Sequence, residues 1–165
     1  MPNILHTQKL VPLNQEQRFA MFVERNRTIK KIFESKLGDI HTRQKNYSNY
    51  CYMMFVMDAI QALDRSSQVI FYHHLKRIDI KATCTVTSLS VESIDRICEV
   101  KSKEWLEQVQ QFDYASVNDR MHETKTFVND LLNCSLTDVE IIKNYQIDIG
   151  SIKILRIAAK IFFKK

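Results

Sequence analysis

The chain has only two glycines, Gly38 and Gly150, and two prolines, Pro2 and Pro12, among its 165 residues. A loop that cradles phosphates needs several glycines close together, so the sequence excludes a P-loop and a dinucleotide-binding fingerprint. Tight hairpins depend on glycine, asparagine and proline, which disfavours a turn-dense β-sandwich. Hydrophobic residues make up 45% of the chain, which is enough for a core. We therefore predict an all-α helical bundle.

Positive charge is concentrated at the two ends of the sequence, within a net charge of +5. Lys and Arg outnumber Asp and Glu by nine to four in residues 1–50 and by six to three in residues 135–165. Residues 51–134 hold nine basic and twelve acidic side chains. Basic ends suit a polyanionic partner such as nucleic acid. A solvated surface would carry the same charge without a partner, so composition alone leaves both interpretations open.

The spacing of the four cysteines fits no zinc or redox pair, because 33, 14 and 36 residues separate Cys51, Cys84, Cys98 and Cys134. We expect reduced thiols in a cytoplasmic protein. The first 13 residues lack the long apolar stretch of a signal peptide. The longest apolar runs, such as residues 53–57, are far shorter than the roughly 20 residues of a transmembrane helix. The sequence therefore predicts neither a metal site of this kind nor a membrane partner.

Hydrophobic periodicity divides the chain into an N-terminal helical region (1–63), a middle helical region (64–110) and a C-terminal region (119–165), with a linker at 111–118. The helix 47–63 is apolar on more than one face and should be central. The helix 80–87 is the least clear, because its run of Thr and Val favours a strand locally. The predicted helices are 15–36 (between Asn14 and Gly38), 47–63, 65–77, 80–87, 90–110, 119–133, 137–145 and 149–163.

The strongest pattern lies at residues 135–160, where a short helix, a tight corner and a longer helix follow one another. Ser135 or Thr137 can cap the short helix. In the corner, Ile147 should point inward and Asp148 should cap the next helix. This is the plan of a helix-turn-helix, whose second helix enters the major groove of DNA. The second helix is predicted to bury Ile152, Leu155 and Ala159 and to expose Gly150, Ser151, Lys153, Arg156 and Lys160.

This segment resembles the helix-turn-helix of sigma-factor region 4. The matching residues are Glu140-Ile141 at the start of the first helix, Ile147 in the corner, and Ser151-Ile152, Lys153, Arg156 and Ala159 in the second helix. Two positions depart from that pattern, since Ile142 replaces the usual Ala and Tyr145 the usual Leu. A looser likeness to ArpU-like phage regulators lies in Met57–Leu63 and the apolar run at Ile70. A complete sigma factor is not expected, because the Trp-rich segment of region 2 is absent and the chain has one tryptophan.

The resemblance implies a transcription regulator that binds double-stranded DNA, with RNA polymerase as a further partner and a phage or mobile-element origin. One helix-turn-helix binds weakly alone, so either a homodimer or a second unit in the same chain is expected. The residues implied to contact DNA are Lys143, Gly150, Ser151, Lys153, Arg156, Lys160, Lys164 and Lys165. The N-terminal helix offers a second basic surface with Arg25, Arg27, Lys30 and Lys31.

A weaker copy of the same pattern lies 58 residues upstream, in residues 69–101. In this alignment Leu89 stands opposite Ile147, and Ile94 stands opposite Ile152. The outward positions of the upstream unit, Glu92, Asp95 and Glu99, are acidic and suit phosphate contact badly. Such a unit would dock on protein rather than on DNA. A coincidental repeat explains the pattern equally well at this point.

No catalytic constellation emerges from the sequence, and we expect neither an enzyme nor a cofactor. The adjacent His73 and His74 point about 100° apart on a helix and cannot hold one metal together. Glu104 and Glu107 share one helix face, which is typical of a solvated surface. A Cys/His pair can form only in the fold and stays open. The alternative to a DNA-binding regulator is an adaptor or inhibitor that acts on RNA polymerase or another regulator without binding DNA.

Overall fold

The computed structural model describes residues 24, 27–33, 35–36, 45–133 and 135–163. The described residues contain helices and no strand, so the predicted all-α class is confirmed. Asn14, Gly38, Lys164 and Lys165 lie outside them, as does most of the predicted helix 15–36, of which residues 24, 27–33 and 35–36 are helical. The elements are α1 Lys45–Gln61, α2 Arg65–Lys76, α3 Ile80–Thr87, α4 Val91–Gln111, a 3-10 turn Tyr114–Ser116, α5 Val117–Leu132, α6 Asp138–Tyr145 and α7 Ile149–Phe163.

Local side-chain chemistry explains why the helices begin where they do. The carboxylates of Asp64 and Asp79 accept hydrogen bonds from backbone amides of α2 and α3, and the Ser90 hydroxyl does the same for α4. At α6 the Thr137 amide donates to Glu140 Oε2 at 2.7 Å, while the Glu140 amide donates to Thr137 Oγ1 at 3.3 Å. This capping box identifies Thr137, not Ser135, as the N-cap.

The ambiguous segment 80–87 is a helix despite its β-branched residues. Thr85 and Thr87 donate their hydroxyls to carbonyls four residues earlier, at 2.9 and 2.7 Å. These bonds satisfy the polar side chains within the helix itself. Asp79 caps one end, and Ser88 closes the other in the left-handed conformation (φ 57°). Caps and tertiary packing therefore override the local strand preference.

The main core surrounds α1. Five successive residues of this helix, from Cys51 to Phe55, are buried, so all faces of the helix contact protein there. The ring of Phe33 packs edge-on against Tyr52, with ring centroids 5.7 Å apart. The predicted central position of this helix is confirmed. A smaller cluster of Ile70, Ile94 and Cys98 joins α2 to α4.

The two halves of the sequence repeat share one backbone plan. We call α3, residues 88–90 and α4 the first corner unit, and α6, residues 146–148 and α7 the second. Each starts with an eight-residue helix, at Ile80 and at Asp138, and its second helix starts at Val91 or Ile149. The first helices of the two units start 58 residues apart, and so do the second helices, which is the offset that the sequence suggests.

The corners of the two units also correspond residue by residue. Ser88 and Gln146 both adopt the left-handed conformation, with φ of 57° and 55°. Next come Leu89, which packs against the small cluster, and Ile147, which is buried in the main core. Ser90 then caps α4 in the first unit, and Asp148 caps α7 in the second. A longer helix, α2 or α5, precedes each unit.

None of the helices described here has both the length and the apolar character that crossing a bilayer requires.

Candidate nucleic-acid interface

Helix α7 lies against α1, α2, α5 and α6 and keeps one exposed stripe. The predicted inward residues Ile152, Leu155 and Ala159 are fully buried, which confirms that face. We call the opposite side the outer stripe. Its residues are four or three positions apart, which places them on one side of a helix. They are Ile149, which is 64% exposed, Lys153 and Lys160, which are exposed, and Ile157, which is half-buried.

Ser151 and Gly150 do not face solvent as predicted. Ser151 is 0% exposed, and its Oγ accepts a hydrogen bond from Gln68 Nε2 at 2.9 Å. Gly150 is half-buried beneath the same side chain, and a Cβ at this position would clash with Gln68 Oε1. The prediction was wrong here because α2 covers the first turn of α7. The C-terminal motif alone carries no sign of that helix.

Replacing Gly150 by alanine is expected to lower the free energy of unfolding by about 1–3 kcal/mol, through overpacking. This sign is diagnostic, because Gly→Ala at a helix position without a clash stabilises by roughly 0.5–1 kcal/mol. The buried Gln68 cannot move aside without losing its bond to Ser151. Urea unfolding followed by circular dichroism measures the change. In a Gln68→Ala background, Gly150→Ala should no longer lower the free energy of unfolding. A Gly150→Ala single variant that is more stable than the unaltered chain would contradict the packing described.

Arg156 was predicted to be an exposed DNA contact, and its guanidinium instead holds the α5–α6 junction. Its Nε donates to Asp138 Oδ1 at 2.6 Å, and its two terminal nitrogens donate to the carbonyls of Leu131 and Leu136 at 2.5 and 3.3 Å. The Leu131 carbonyl belongs to the last turn of α5, where carbonyls lack partners within the helix. Arg156 therefore ties the end of α5, the following loop and the start of α6 to α7.

Tyr145, which departs from the family pattern, also fixes this unit. Its ring packs edge-on against Phe127 with centroids 4.8 Å apart, and its hydroxyl donates to Asp130. Burial, together with the hydrogen bond and the charge of Asp130, raises the pKa of Tyr145 to about 12. The tyrosine hence keeps the apolar contact that a leucine would make and adds a polar one to α5.

Lys153 borders a recess of about 620 Å³ between α2 and the first turn of α7. Its Nζ lies 5.5 Å from the centre of the Tyr72 ring. Arg65 of α2 lines the same recess, and Asp148 is the one carboxylate among its described lining residues. Asp148 Oδ2 accepts a hydrogen bond from the Gly150 amide at 3.1 Å, so it caps α7 as predicted. The recess therefore carries two cationic side chains, Lys153 and Arg65, and one carboxylate, Asp148, which already accepts a hydrogen bond from the Gly150 amide.

The remaining predicted contacts are exposed lysines at separate positions. Lys143 is in the last turn of α6, and Lys160 is near the end of α7. Both are exposed. Across the described ranges, no carboxylate lies within ion-pair distance of Lys143, Lys153 or Lys160. These charges are available to a polyanion.

Described residues from the two basic ends of the sequence lie next to each other in the fold. Lys30 Nζ lies 5.3 Å from the centre of the Phe162 ring at the end of α7. Arg27 lines a cavity together with Ile161 and Phe162. The predicted second basic surface is therefore adjacent to the second corner unit. Of its four residues, Arg25 lies outside the described part of the chain, whereas Arg27 and Lys31 are exposed.

The first corner unit presents mixed charge. Glu92 and Glu99 are exposed on α4, as are Arg96 and Lys103, whereas Asp95 is half-buried. Lys101 and Glu104 form an ion pair at 3.0 Å on the same helix. Both signs alternate along this face, so it offers no continuous cationic stripe for phosphates.

His73 and His74 contact different helices. His73 Nδ1 lies 2.7 Å from Thr83 Oγ1 of α3, and His74 Nε2 lies 3.4 Å from Cys98 Sγ of α4. His74 and Cys98 are the Cys/His pair that sequence reasoning could not assemble. Cys98 is only 7% exposed, so most of its surface is covered by protein. In the described ranges no three His, Cys, Asp or Glu side chains group as metal ligands would.

Acid is expected to weaken the fold through His73. Burial lowers the pKa of His73 below its ordinary 6.5. Below pH 6.5 the unfolded chain therefore takes up this proton before the folded chain does, and the free energy of unfolding falls. The loss is complete only below the folded pKa. Urea unfolding at about pH 7.5 and about pH 5.5, which bracket histidine titration, measures this loss. His73→Asn should reduce it, while His122→Asn, at an exposed position on α5, should not. Equal losses in both variants would contradict the assignment.

Comparisons with protein-family models, with curated proteins and with solved structures gave no match for this chain.

Proposed function

We propose that this chain is a transcription regulator that binds a specific sequence of double-stranded DNA through the second corner unit. The observation that carries the proposal is the outer stripe of α7, in which Ile149, Lys153 and Lys160 are exposed on the second helix of a helix–corner–helix unit. The major groove is about 12 Å wide and admits one helix. A short first helix that crosses the backbone and a longer helix in the groove are the geometry of helix-turn-helix proteins.

The outer stripe supplies both kinds of groove contact. Lys153 and Lys160 can donate to guanine O6 and N7 or to phosphate oxygens. Ile149 and Ile157 can contact thymine methyl groups. Under this proposal Gly150, Ser151 and Arg156 position α7 instead of touching DNA. Their packing against α2 and the α5–α6 junction holds the stripe outward.

Phosphate contacts flank the stripe on two elements. Arg65 lines the recess beside Lys153, and Lys143 lies at the end of α6. Arg65 and Lys143 belong to two different helices that contact α7, and cations beside a groove-inserted helix suit the phosphate backbones that border the groove. Lys164 and Lys165 follow Lys160 in the sequence and would extend the basic surface.

Selection from a random duplex library tests the proposal. The full chain, immobilised through a terminal tag, should retain duplexes that converge on one motif over successive rounds. The length of that motif distinguishes one bound unit from a symmetric pair, because a homodimer selects an inverted repeat. Retention of no duplex at low salt would overturn DNA binding by this chain.

A second candidate function is protein docking by the first corner unit. The observation that favours it is the outer face of α4, which combines exposed charges of both signs with Val100 at 45% exposure. Such a face suits a protein partner better than a phosphate backbone. RNA polymerase is the partner that the family resemblance implies. Binding to purified polymerase, lost on Val100→Glu and kept on Val139→Glu, would support this function, and binding unaffected by Val100→Glu would contradict it.

A further inference from the structure

A cavity of about 390 Å³ lies on the side of α7 away from the outer stripe. Its inner wall is formed by α1, α2, α4 and α7, through the buried side chains of Phe55, Phe71, Trp105, Ile154 and Ala158. Protein interiors rarely leave voids larger than a water molecule. Ligand pockets in proteins enclose about 300–1,000 Å³ and are mostly apolar. The volume and lining of this cavity are therefore those of a small-ligand site.

The open side of the cavity carries positive charge. Among the lining residues, Arg27 is exposed and Ile161 is 62% exposed, whereas most of the others are buried. Lys30 lines the same side and lies over the Phe162 ring. No carboxylate is among the described residues that line the cavity. An apolar chamber with two cations at its opening is complementary to a molecule with an apolar chain and one anionic end.

We propose that this cavity binds a medium-chain fatty acid, with its carboxylate at Arg27 and Lys30 and its chain between Phe55, Phe71 and Trp105. Guanidinium and ammonium groups both donate charge-assisted hydrogen bonds to a carboxylate. The volume lies near the lower end of the range for ligand pockets, which favours a medium chain over a long one. The aromatic walls contact a flexible methylene chain without demanding one fixed conformation.

The site also has a consequence for regulation, and that consequence rests on the proposed function. Ile154 and Ala158 of the cavity wall belong to α7, whose opposite side is the outer stripe. A bound acid would therefore contact the helix proposed to read DNA. The acid changes DNA affinity only if its own affinity differs between the DNA-bound and the free conformation of α7. Binding of the acid does not depend on DNA binding, so the two can fail independently.

Trp105 gives a direct test, because it is the one tryptophan of the chain and lies on the cavity wall. Its ring stacks on Phe71, with centroids 4.9 Å apart. The full chain is titrated, below the micelle concentration, with dodecanoate that carries a terminal bromine, which quenches indole fluorescence on contact. We expect saturable quenching that unbrominated dodecanoate reverses. Quenching that rises without saturation would overturn the site.

A chain-length series tests the volume of the cavity. Each added methylene that enters an apolar site strengthens binding by roughly fourfold, so competition should increase from octanoate to dodecanoate and stop increasing for longer acids. Dodecanol should compete at least about tenfold more weakly than dodecanoate, because an alcohol cannot form the charge-assisted hydrogen bonds that a carboxylate forms with Arg27 and Lys30. Equal competition by the alcohol and the acid would contradict the role of Arg27 and Lys30.

Two variants locate the site. Arg27→Gln should weaken binding of the acid by about tenfold, whereas Lys31→Gln, on the same helical segment, should leave the affinity unchanged. Ala158→Phe fills the cavity and should abolish quenching in a protein whose circular dichroism is unchanged. If that variant fails to fold, the chain-length series and Arg27→Gln still decide. Quenching that survives in folded Ala158→Phe, or equal effects of Arg27→Gln and Lys31→Gln, would refute the proposal.

Discussion

Replacing Arg156 by alanine is expected to lower the free energy of unfolding by about 2–3 kcal/mol. The change removes an ion pair to Asp138 and two hydrogen bonds to the carbonyls of Leu131 and Leu136. Hydrogen bonds that involve a charged group contribute about 1.5–3 kcal/mol each when buried. Arg156 is 21% and Asp138 47% exposed, so solvent screens this ion pair and the sum is smaller. The melting temperature should fall by about 5–10 °C.

Two further variants separate this role from a general effect of charge. Lys160→Ala removes a cation from the same helix at an exposed position and should change stability by no more than about 0.5 kcal/mol. Arg156→Lys keeps the charge but loses the planar fork, so it should lie between the other two. If Arg156→Ala is no less stable than Lys160→Ala, Arg156 does not hold the α5–α6 junction. Arg156 would then again be a candidate for contact with DNA.

Reversing two charges of the outer stripe, with Lys153→Glu and Lys160→Glu, is expected to weaken duplex binding by about 10–100-fold near physiological salt. Each lysine that neutralises a phosphate adds about 0.9 to the dependence of log affinity on log salt, so the slope should drop by about two. Both side chains are exposed, so helicity and melting temperature should change little. Fluorescence anisotropy of a labelled duplex measures the affinity.

The matched control reverses Lys81 and Lys103, which are exposed on the first corner unit. Both double variants have the same net charge, so any difference between them reports position. The control should lose less than about threefold in duplex affinity. Long-range attraction changes equally in both double variants, and salt screens charges strongly beyond about 10 Å. Equal losses in the two proteins would mean that DNA is attracted by overall charge and not held by α7.

Patterns local in sequence predicted the secondary structure well. The helix 149–163 has the same bounds in the fold, and helix 47–63 is shifted by two residues at each end, to Lys45–Gln61. The corner at Gln146–Asp148 was found because its aliphatic residue, its capping carboxylate and the hydrophobic periods on both sides are all local signals. Helix 80–87 has fewer such signals, and its caps only become decisive in the fold.

Contacts between distant residues explain what the sequence did not predict. Ser151 is polar and lies next to Lys153, so it was assigned to the outer face, yet its partner Gln68 stands 83 residues earlier. Arg156 fills the edge between the buried and exposed faces, where residue type alone does not separate a structural arginine from a DNA contact. The cavity wall needs four helices in place, and the His74–Cys98 contact needs two helices whose partner residues lie 24 positions apart. The division into three regions and the helix-turn-helix identity stay predictions.

The most direct test of the central claim is the affinity of the intact chain for short duplex DNA between about 50 and 200 mM salt, where phosphate contacts dominate. We expect tight binding at the low end and a steep linear fall of log affinity with log salt, with a slope of about −3.6 to −4.5 for four to five neutralised phosphates. That result would support a DNA-binding regulator with α7 at the interface. Undetectable binding at about 50 mM salt, where non-specific attraction is strongest, would contradict it.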